Sequence, residues 1–257
     1  MKDQVKAGIV KILGYLLTPL YLIVFGLLIV VFHPIQVICR KLWGYSAHKK
    51  SVDILNILII KSLIILGTRI SFRGFDKLPK DRPIILISNH QSMIDIPPII
   101  WGFRRHHPKF IAKIELGKGI PSISYNLRHG GSVLIDRKKR RQAVLEILKL
   151  GRYIEENNYT ASIFPEGTRT KNGKIQPFKS AGINTLLKAA PSAVVVPLVI
   201  DGSYELMKKG LYPMSFGVNI TYTVLDPLEP GTFTAEDLVM KTEDLIREAM
   251  EKQACKI

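Results

Sequence analysis

The sequence predicts an α/β protein, a mixed sheet flanked by helices, carried behind an N-terminal pair of membrane-anchoring helices. Three observations predict it. After residue 69, short β-branched runs alternate with longer stretches in which apolar residues recur every three or four positions, the signature of an α/β domain. Before it, residues 12–32 form 21 successive positions without a charge, close to the roughly 20 that a spanning helix needs. The polar motifs, finally, follow directly on buried-strand runs, and open α/β sheets bind ligands at the carboxyl ends of their strands.

The N-terminal run resembles a signal peptide, with Lys2, Lys6 and Lys11 ahead of it, but no small-residue cleavage site follows, so it reads as retained. Arg40, Lys41, Lys49 and Lys50 flank its other end. Basic residues on both sides give no charge bias and let both ends stay on one face of a membrane. Pro19 and Gly26 are expected to bend the helix. A second apolar stretch, 54–66, is interrupted by Lys61 and too short to span, so it reads as an amphipathic helix paired with the first; the bland alternative is two ordinary core helices. The division expected is residues 1–70 as anchor and 71–257 as α/β domain. Buried strands are expected at 84–87, 133–135, 161–164 and 194–196, and a half-exposed one at 216–224, where apolar residues alternate. Helices are expected at 96–103, 139–157, 181–189 and 235–252.

Lys and Arg number 37 against 21 Asp and Glu, a net charge of +16. That balance calls for a polyanionic partner, nucleic acid or an anionic lipid surface. A mean hydropathy of +0.15 beside so much charge means that apolar and basic residues are segregated, which favours the membrane surface over nucleic acid. The two cysteines, Cys39 and Cys255, lie far apart and near no polar motif. A disulfide framework or cysteine metal site therefore has no support, and a reducing, cytoplasm-facing setting fits.

The first chemical motif is Ser88-Asn89-His90-Gln91-Ser92-Met93-Ile94-Asp95, between a strand run and Pro97-Pro98. A carboxylate five residues after a histidine can accept from one ring nitrogen, fix the tautomer and leave the other nitrogen as a general base for a hydroxyl. Asp95 reads equally as a helix cap ahead of the prolines. The second is Phe164-Pro165-Glu166-Gly167-Thr168-Arg169, a tight turn that can offer backbone N–H groups and a bidentate guanidinium to a phosphate. A solvated ion pair on a surface turn is the plainer reading. Lys113-Ile114-Glu115-Leu116 and Gly131 through Arg137 each set a cation beside a carboxylate; Lys113 and Arg137 suit a phosphate, and singly each pair reads first as a structural salt bridge. His106-His107 beside Arg104-Arg105 reads as a basic surface patch rather than a metal ligand set. Val196-Pro197 and Gly202-Ser203 carry no evident chemistry.

Asn89-His90 through Asp95, Lys113 through Pro121, Gly131 through Arg137, Phe164 through Arg169 and Val196-Pro197, in this order and spacing, resemble the glycerolipid acyltransferase family. The resemblance covers residues 83–203, and the N-terminal pair is similar to that family's membrane-anchoring two-helix motif. It implies a glycerol-3-phosphate acyltransferase-like fold and transfer of a fatty acyl group from acyl-CoA or acyl-ACP (acyl-carrier protein) to the sn-2 hydroxyl of lysophosphatidic acid, giving phosphatidic acid. His90 would be the general base and Asp95 its orienting partner. Glu166, Gly167, Thr168 and Arg169 would form the acceptor-phosphate site, with Arg137 and Lys113 adding positive charge. No metal, no cofactor beyond the thioester co-substrate and no nucleic acid would be required. The absence of a Gly-x-Ser-x-Gly elbow agrees with direct attack. The expected location is the cytoplasmic face of the cell membrane, on anionic lipid. The alternatives are another lyso-lipid acceptor, or a non-catalytic lipid-binding protein on the same scaffold.

Overall fold

A computed structural model describes residues 2–254; Cys255 lies outside them. Helix α1 runs Lys2–Ser62 and is divided into two arms at Gly44, whose φ of 77° and ψ of −159° leave the helical region. A residue with a Cβ would be strained there. Helical backbone carries through Pro19 and Pro34, and the break in the helix falls at Gly44.

The first arm has two unlike faces. Ile9, Ile12, Leu16, Leu20, Ile23, Leu27, Val31, Ile35, Ile38 and Leu42 are all exposed. Steps of three and four put them on one stripe, about 50 Å long at 1.5 Å per residue. The other face packs on the domain, where Tyr21 is buried with Leu17 and Phe25 beside it. In the second arm Val52, Leu55 and Ile59 are buried, and a 3-10 turn over Leu63–Leu66 carries the chain into the domain.

Strands β1 (Arg69–Arg73), β2 (Ile84–Ser88), β3 (Pro108–Lys113), β4 (Val133–Ile135), β5 (Thr160–Ile163), β6 (Val194–Asp201) and β7 (Asn219–Val224) form one sheet in the order β1-β7-β6-β2-β5-β3-β4. β7 is antiparallel to β6 and parallel to β1, so these two run against the other five. The helices are α2 (Ile96–Gly102), α3 (Ile123–His129), α4 (Arg140–Asn157), α5 (Ser180–Ala189), α6 (Ser203–Met207) and α7 (Ala235–Ala254).

Strand periodicity splits the core into two layers. Ile84 and Leu86 of β2, with Val194, Val196, Leu198 and Ile200 of β6, face a layer closed by α2 and both arms of α1. Ile85, Ile87, Val195 and Val199 face the layer built from α4, α5 and α7. Tyr21, Val52, Leu63 and Leu66 of the N-terminal segment thus belong to the same core as the sheet. β1 and β3 were not among the expected strands: β1 is an exposed edge, and Lys109 and Lys113 break the apolar run of β3.

Candidate active site

Five parallel strands point their carboxyl ends one way, and β2 and β5 are neighbours at the centre. The loops that leave these two strands carry His90 and the 164–169 motif. Asn89 fixes the start of the first loop: its side-chain amide donates to the Ile200 carbonyl at 2.7 Å and accepts from the Ile200 N–H at 2.8 Å. It thereby extends the β2–β6 pairing one residue past the ladder.

His90 Nδ1 lies 2.8 Å from Asp95 Oδ2, and Asp95 is fully buried. The same oxygen accepts from the backbone N–H of Gln91 at 2.7 Å and of Ser92 at 3.0 Å, while Ser92 Oγ accepts from the Ile94 N–H at 3.1 Å. These bonds make a reciprocal capping box ahead of α2. The two readings of Asp95 are therefore one geometry, because the carboxylate that caps the turn also holds the imidazole. The ring stacks on Phe164 at 4.1 Å and 19°, and no protein hydrogen bond reaches its Nε2 among the described residues.

The backbone of His90 is clamped on both sides. Its N–H donates to Glu166 Oε1 at 2.6 Å, and its carbonyl accepts from the Thr170 N–H at 2.9 Å. Glu166 Oε2 accepts from the Gln176 N–H at 2.7 Å. Burial pushes the Glu166 carboxyl up from its ordinary value, and the N–H groups of Gln176 and His90 pull against that shift. Gly167, at φ 73°, turns the loop, and Thr168 and Arg169 stand exposed beyond it.

The structure brings His90, Asp95 and Glu166 into one bonded unit, with Gly167, Thr168 and Arg169 on the same loop as Glu166. Lys113 and Arg137 stand at the carboxyl ends of β3 and β4, two and three strands along from β2. A strand spacing of about 4.8 Å places them roughly 10 and 14 Å along the same sheet edge. Both are exposed. Burial lowers the Arg137 guanidinium and the Glu115 carboxylate opposes that shift. Asp136 turns instead to the Lys138 N–H at 2.9 Å and to Lys139 at 3.8 Å.

Sequence reasoning missed Ser203, which is fully buried and whose hydroxyl makes a short hydrogen bond to Asp95 Oδ1. It also missed the stacking of Phe164 on His90. His106 and His107 are not a solvated patch: His106 Nε2 sits 2.9 Å from the Pro79 carbonyl, and His107 meets the Tyr45 hydroxyl at 2.8 Å while stacking on Tyr159.

This fold and site define an α/β enzyme that carries a positioned histidine–carboxylate pair at the carboxyl edge of its sheet. The Acyltransferase family model matches residues 69–201, just over half of the chain, and the chain belongs to that family. It is similar to the 1-acyl-sn-glycerol-3-phosphate acyltransferase alpha of Mus musculus, 24% identical over 201 residues, covering 78% of this chain and 69% of the mouse protein. A 1-acyl-sn-glycerol-3-phosphate acyltransferase of Chlamydomonas reinhardtii is 31% identical over 165 residues, 63% of this chain and 48% of the algal one. The crystal structure of the 1-acyl-sn-glycerophosphate (LPA) acyltransferase PlsC from Thermotoga maritima superposes with a TM-score of 0.79 at 27% identity. It covers 95% of this chain and 97% of that one.

Proposed function

We propose that the chain transfers a fatty acyl group from acyl-CoA or acyl-ACP to the sn-2 hydroxyl of lysophosphatidic acid, forming phosphatidic acid for phospholipid synthesis. The observation that carries this reading is the His90–Asp95 pair, buried at its carboxylate end, open at Nε2 and bonded through Glu166 to the arginine-bearing loop. The names of the three relatives point to the same acceptor.

His90 Nε2 takes the proton of the sn-2 hydroxyl as its oxygen attacks the thioester carbonyl. Asp95 holds Nδ1–H and stabilises the imidazolium that forms. The tetrahedral intermediate then expels the thiolate, which receives that proton from His90, so the ring returns to its starting state and no acyl-enzyme intervenes. Glu166 braces the acceptor-phosphate loop through His90 and Gln176, Gly167 lets it turn, and Thr168 and Arg169 meet the phosphate. Lys113 and Arg137, farther along the edge, hold negative charge on the acceptor or on the donor's phosphates.

The exposed stripe of the first arm and the basic residues at its ends support seating in one leaflet at the cytoplasmic face, on anionic lipid. An amphiphilic acceptor then reaches the site without leaving the bilayer. Residues 1–70 act as the anchor and 71–257 as the catalytic unit.

The test is transfer of labelled acyl groups from acyl-CoA and acyl-ACP to lysophosphatidic acid, run beside a panel of other lyso-lipids and a His90→Ala control. Phosphatidic acid formed only when His90 is present is the expected result. Transfer to a different lyso-lipid alone would change the acceptor, and no transfer to any acceptor would leave the lipid-binding reading standing.

A further inference from the structure

Between α6 and β7 the chain makes an excursion over residues 208–214 that has no role in the chemistry above. Its framework is firmly held. The Met214 N–H donates to Thr18 Oγ1 in the first arm at 2.9 Å, the Ser215 N–H to the Leu206 carbonyl at 2.9 Å, and the Gly210 N–H to Met207 at 2.8 Å. The approach to the arm is close: a Cβ on Gly14 would come within 2.7 Å of the Met214 carbonyl oxygen. Tyr212 meets Tyr15 of the arm edge to face at 5.6 Å.

A segment so tied down nevertheless turns Leu211 and Tyr212 outward, 53% and 54% exposed. Tyr212 stands against Tyr15, itself 40% exposed on the arm, and Ile12 and Leu16, exposed too, lie within a turn of Tyr15 along the same helix, so the segment adjoins the arm's apolar face. Lys208, paired with Glu205 at 2.6 Å, and Lys209, both exposed, precede them. Cations next to exposed aliphatic and aromatic side chains are the arrangement of an interfacial membrane contact. α6, which leads into the segment, begins at Ser203, and Ser203 bonds Asp95.

We propose that residues 208–214 form a second membrane-inserting element, with Leu211 and Tyr212 entering the headgroup–acyl boundary of an anionic bilayer and Lys208 and Lys209 meeting lipid phosphates. Contact through the first arm alone leaves the whole protein free to roll about the arm's axis on the membrane. A second contact fixes that roll and, through α6, the depth at which the His90–Asp95 pair meets the lipid. This inference rests on the reading of the first arm as a membrane anchor.

The experiment uses the full chain with Cys39 and Cys255 replaced by serine and a nitroxide placed in turn at Leu211→Cys, at Leu20→Cys on the arm and at Lys149→Cys on exposed α4. Accessibility to oxygen and to a water-soluble nickel chelate is read with and without vesicles of phosphatidylcholine and phosphatidylglycerol. Expected is bilayer burial at 211 and 20 and an aqueous signal at 149. An aqueous signal at 211 with burial at 20 would overturn the second contact and leave the anchor intact; aqueous signals at both, with protein that fails to float with vesicles, would remove the anchor reading itself. Shielding at 211 without vesicles, together with a doubled mass, would assign the face to a second copy of the chain and overturn the proposal. In parallel, Leu211→Ser/Tyr212→Ser should raise KM for a vesicle-embedded acceptor roughly tenfold, about the effect of losing one buried leucine, and leave turnover of a short-chain, water-soluble acceptor unchanged. Equal KM on vesicles would count against the proposal.

Discussion

Ser203 donates to the one Asp95 oxygen that His90 does not use. Asp95 is thus gripped from two directions: Oδ2 from its own turn by His90, Gln91 and Ser92, and Oδ1 from across the sheet by the residue that opens α6. The second grip ties the dyad to β6 and sets the direction in which the carboxylate faces the imidazole.

Ser203→Ala should therefore lower kcat without raising KM for either substrate. Hydrogen bonds to charged groups contribute about 1.5–3 kcal/mol, so kcat should fall roughly tenfold or more. Steady-state kinetics on both substrates checks this. Ser203→Thr, which keeps the hydroxyl, should recover most of the loss; an Ala variant with wild-type kcat would mean that the partners in its own turn, the Gln91 and Ser92 N–H groups and the Ser92 hydroxyl, are enough to fix Asp95.

Arg169 stands exposed on the loop that Glu166 braces. Arg169→Ala should raise KM for the phosphate-bearing acceptor by roughly ten- to a hundredfold, the scale of a lost charge-assisted pair. KM for the thioester should change little. Equal effects on both substrates would move Arg169 out of the acceptor site, and Arg169→Lys should recover only part because it lacks the planar fork.

Much of this was legible because strand-end chemistry is local. The alternating apolar runs of β2, β5 and β6 marked the strands, and the motifs on them needed only the rule that sites sit at carboxyl ends. The His90–Asp95 bond is made within five residues, so the spacing allowed it, but the spacing fitted a helix cap equally well and only the accompanying motifs favoured the dyad. Ser203 lies 108 residues from Asp95, and nothing in a Gly-Ser pair announces a partner so remote in sequence. β1 and β3 were hidden for a different reason. β1 is an edge on which only Ile70 turns partly inward, and β3 buries Lys109, a residue type that pattern reading assigns to the surface.

The two faces of the first arm separate attachment from folding. Leu16, Leu20, Ile23 and Leu27 face outward, while Tyr21 sits in the core. Replacing the four exposed residues by serine should release the chain from vesicles while leaving the unfolding midpoint near wild type. Each loses about 1.5–3 kcal/mol of apolar burial in lipid. Deleting residues 1–50 should instead yield insoluble protein, because it strips Tyr21 and the first arm from the core; flotation and thermal melts distinguish the cases. A serine variant that still floats with vesicles would place the attachment elsewhere.

Lys109 gives a stability prediction with a definite sign in pH. It is 3% exposed at the start of β3. Its ammonium donates to the Tyr45 hydroxyl at 2.6 Å and lies 4.7 and 5.2 Å from the Tyr45 and Tyr159 ring centroids. No carboxylate pairs with it among the described residues, since Asp53, which opposes the shift, is bonded to Lys49 at 2.5 Å. Burial first, and the Lys49 charge second, push it from 10.5 down to about 7. Above pH 10.5 both the folded and unfolded chains hold a neutral amine and there is no penalty. Between 10.5 and 7 the unfolded chain binds the proton first, so stability falls as the pH falls; below 7 both states are charged and the penalty is constant. Lys109→Met removes the titrating group and keeps the apolar stem. At pH 7 it should stabilise the fold by on the order of a few kcal/mol, less the lost tyrosine contacts, raising Tm by roughly 5–10 °C. The gap between variant and wild type should close steadily toward pH 10. Parallel thermal melts across pH 6–10 read this directly, and a gap that stays flat through the range would mean that Lys109 keeps its charge in the folded protein.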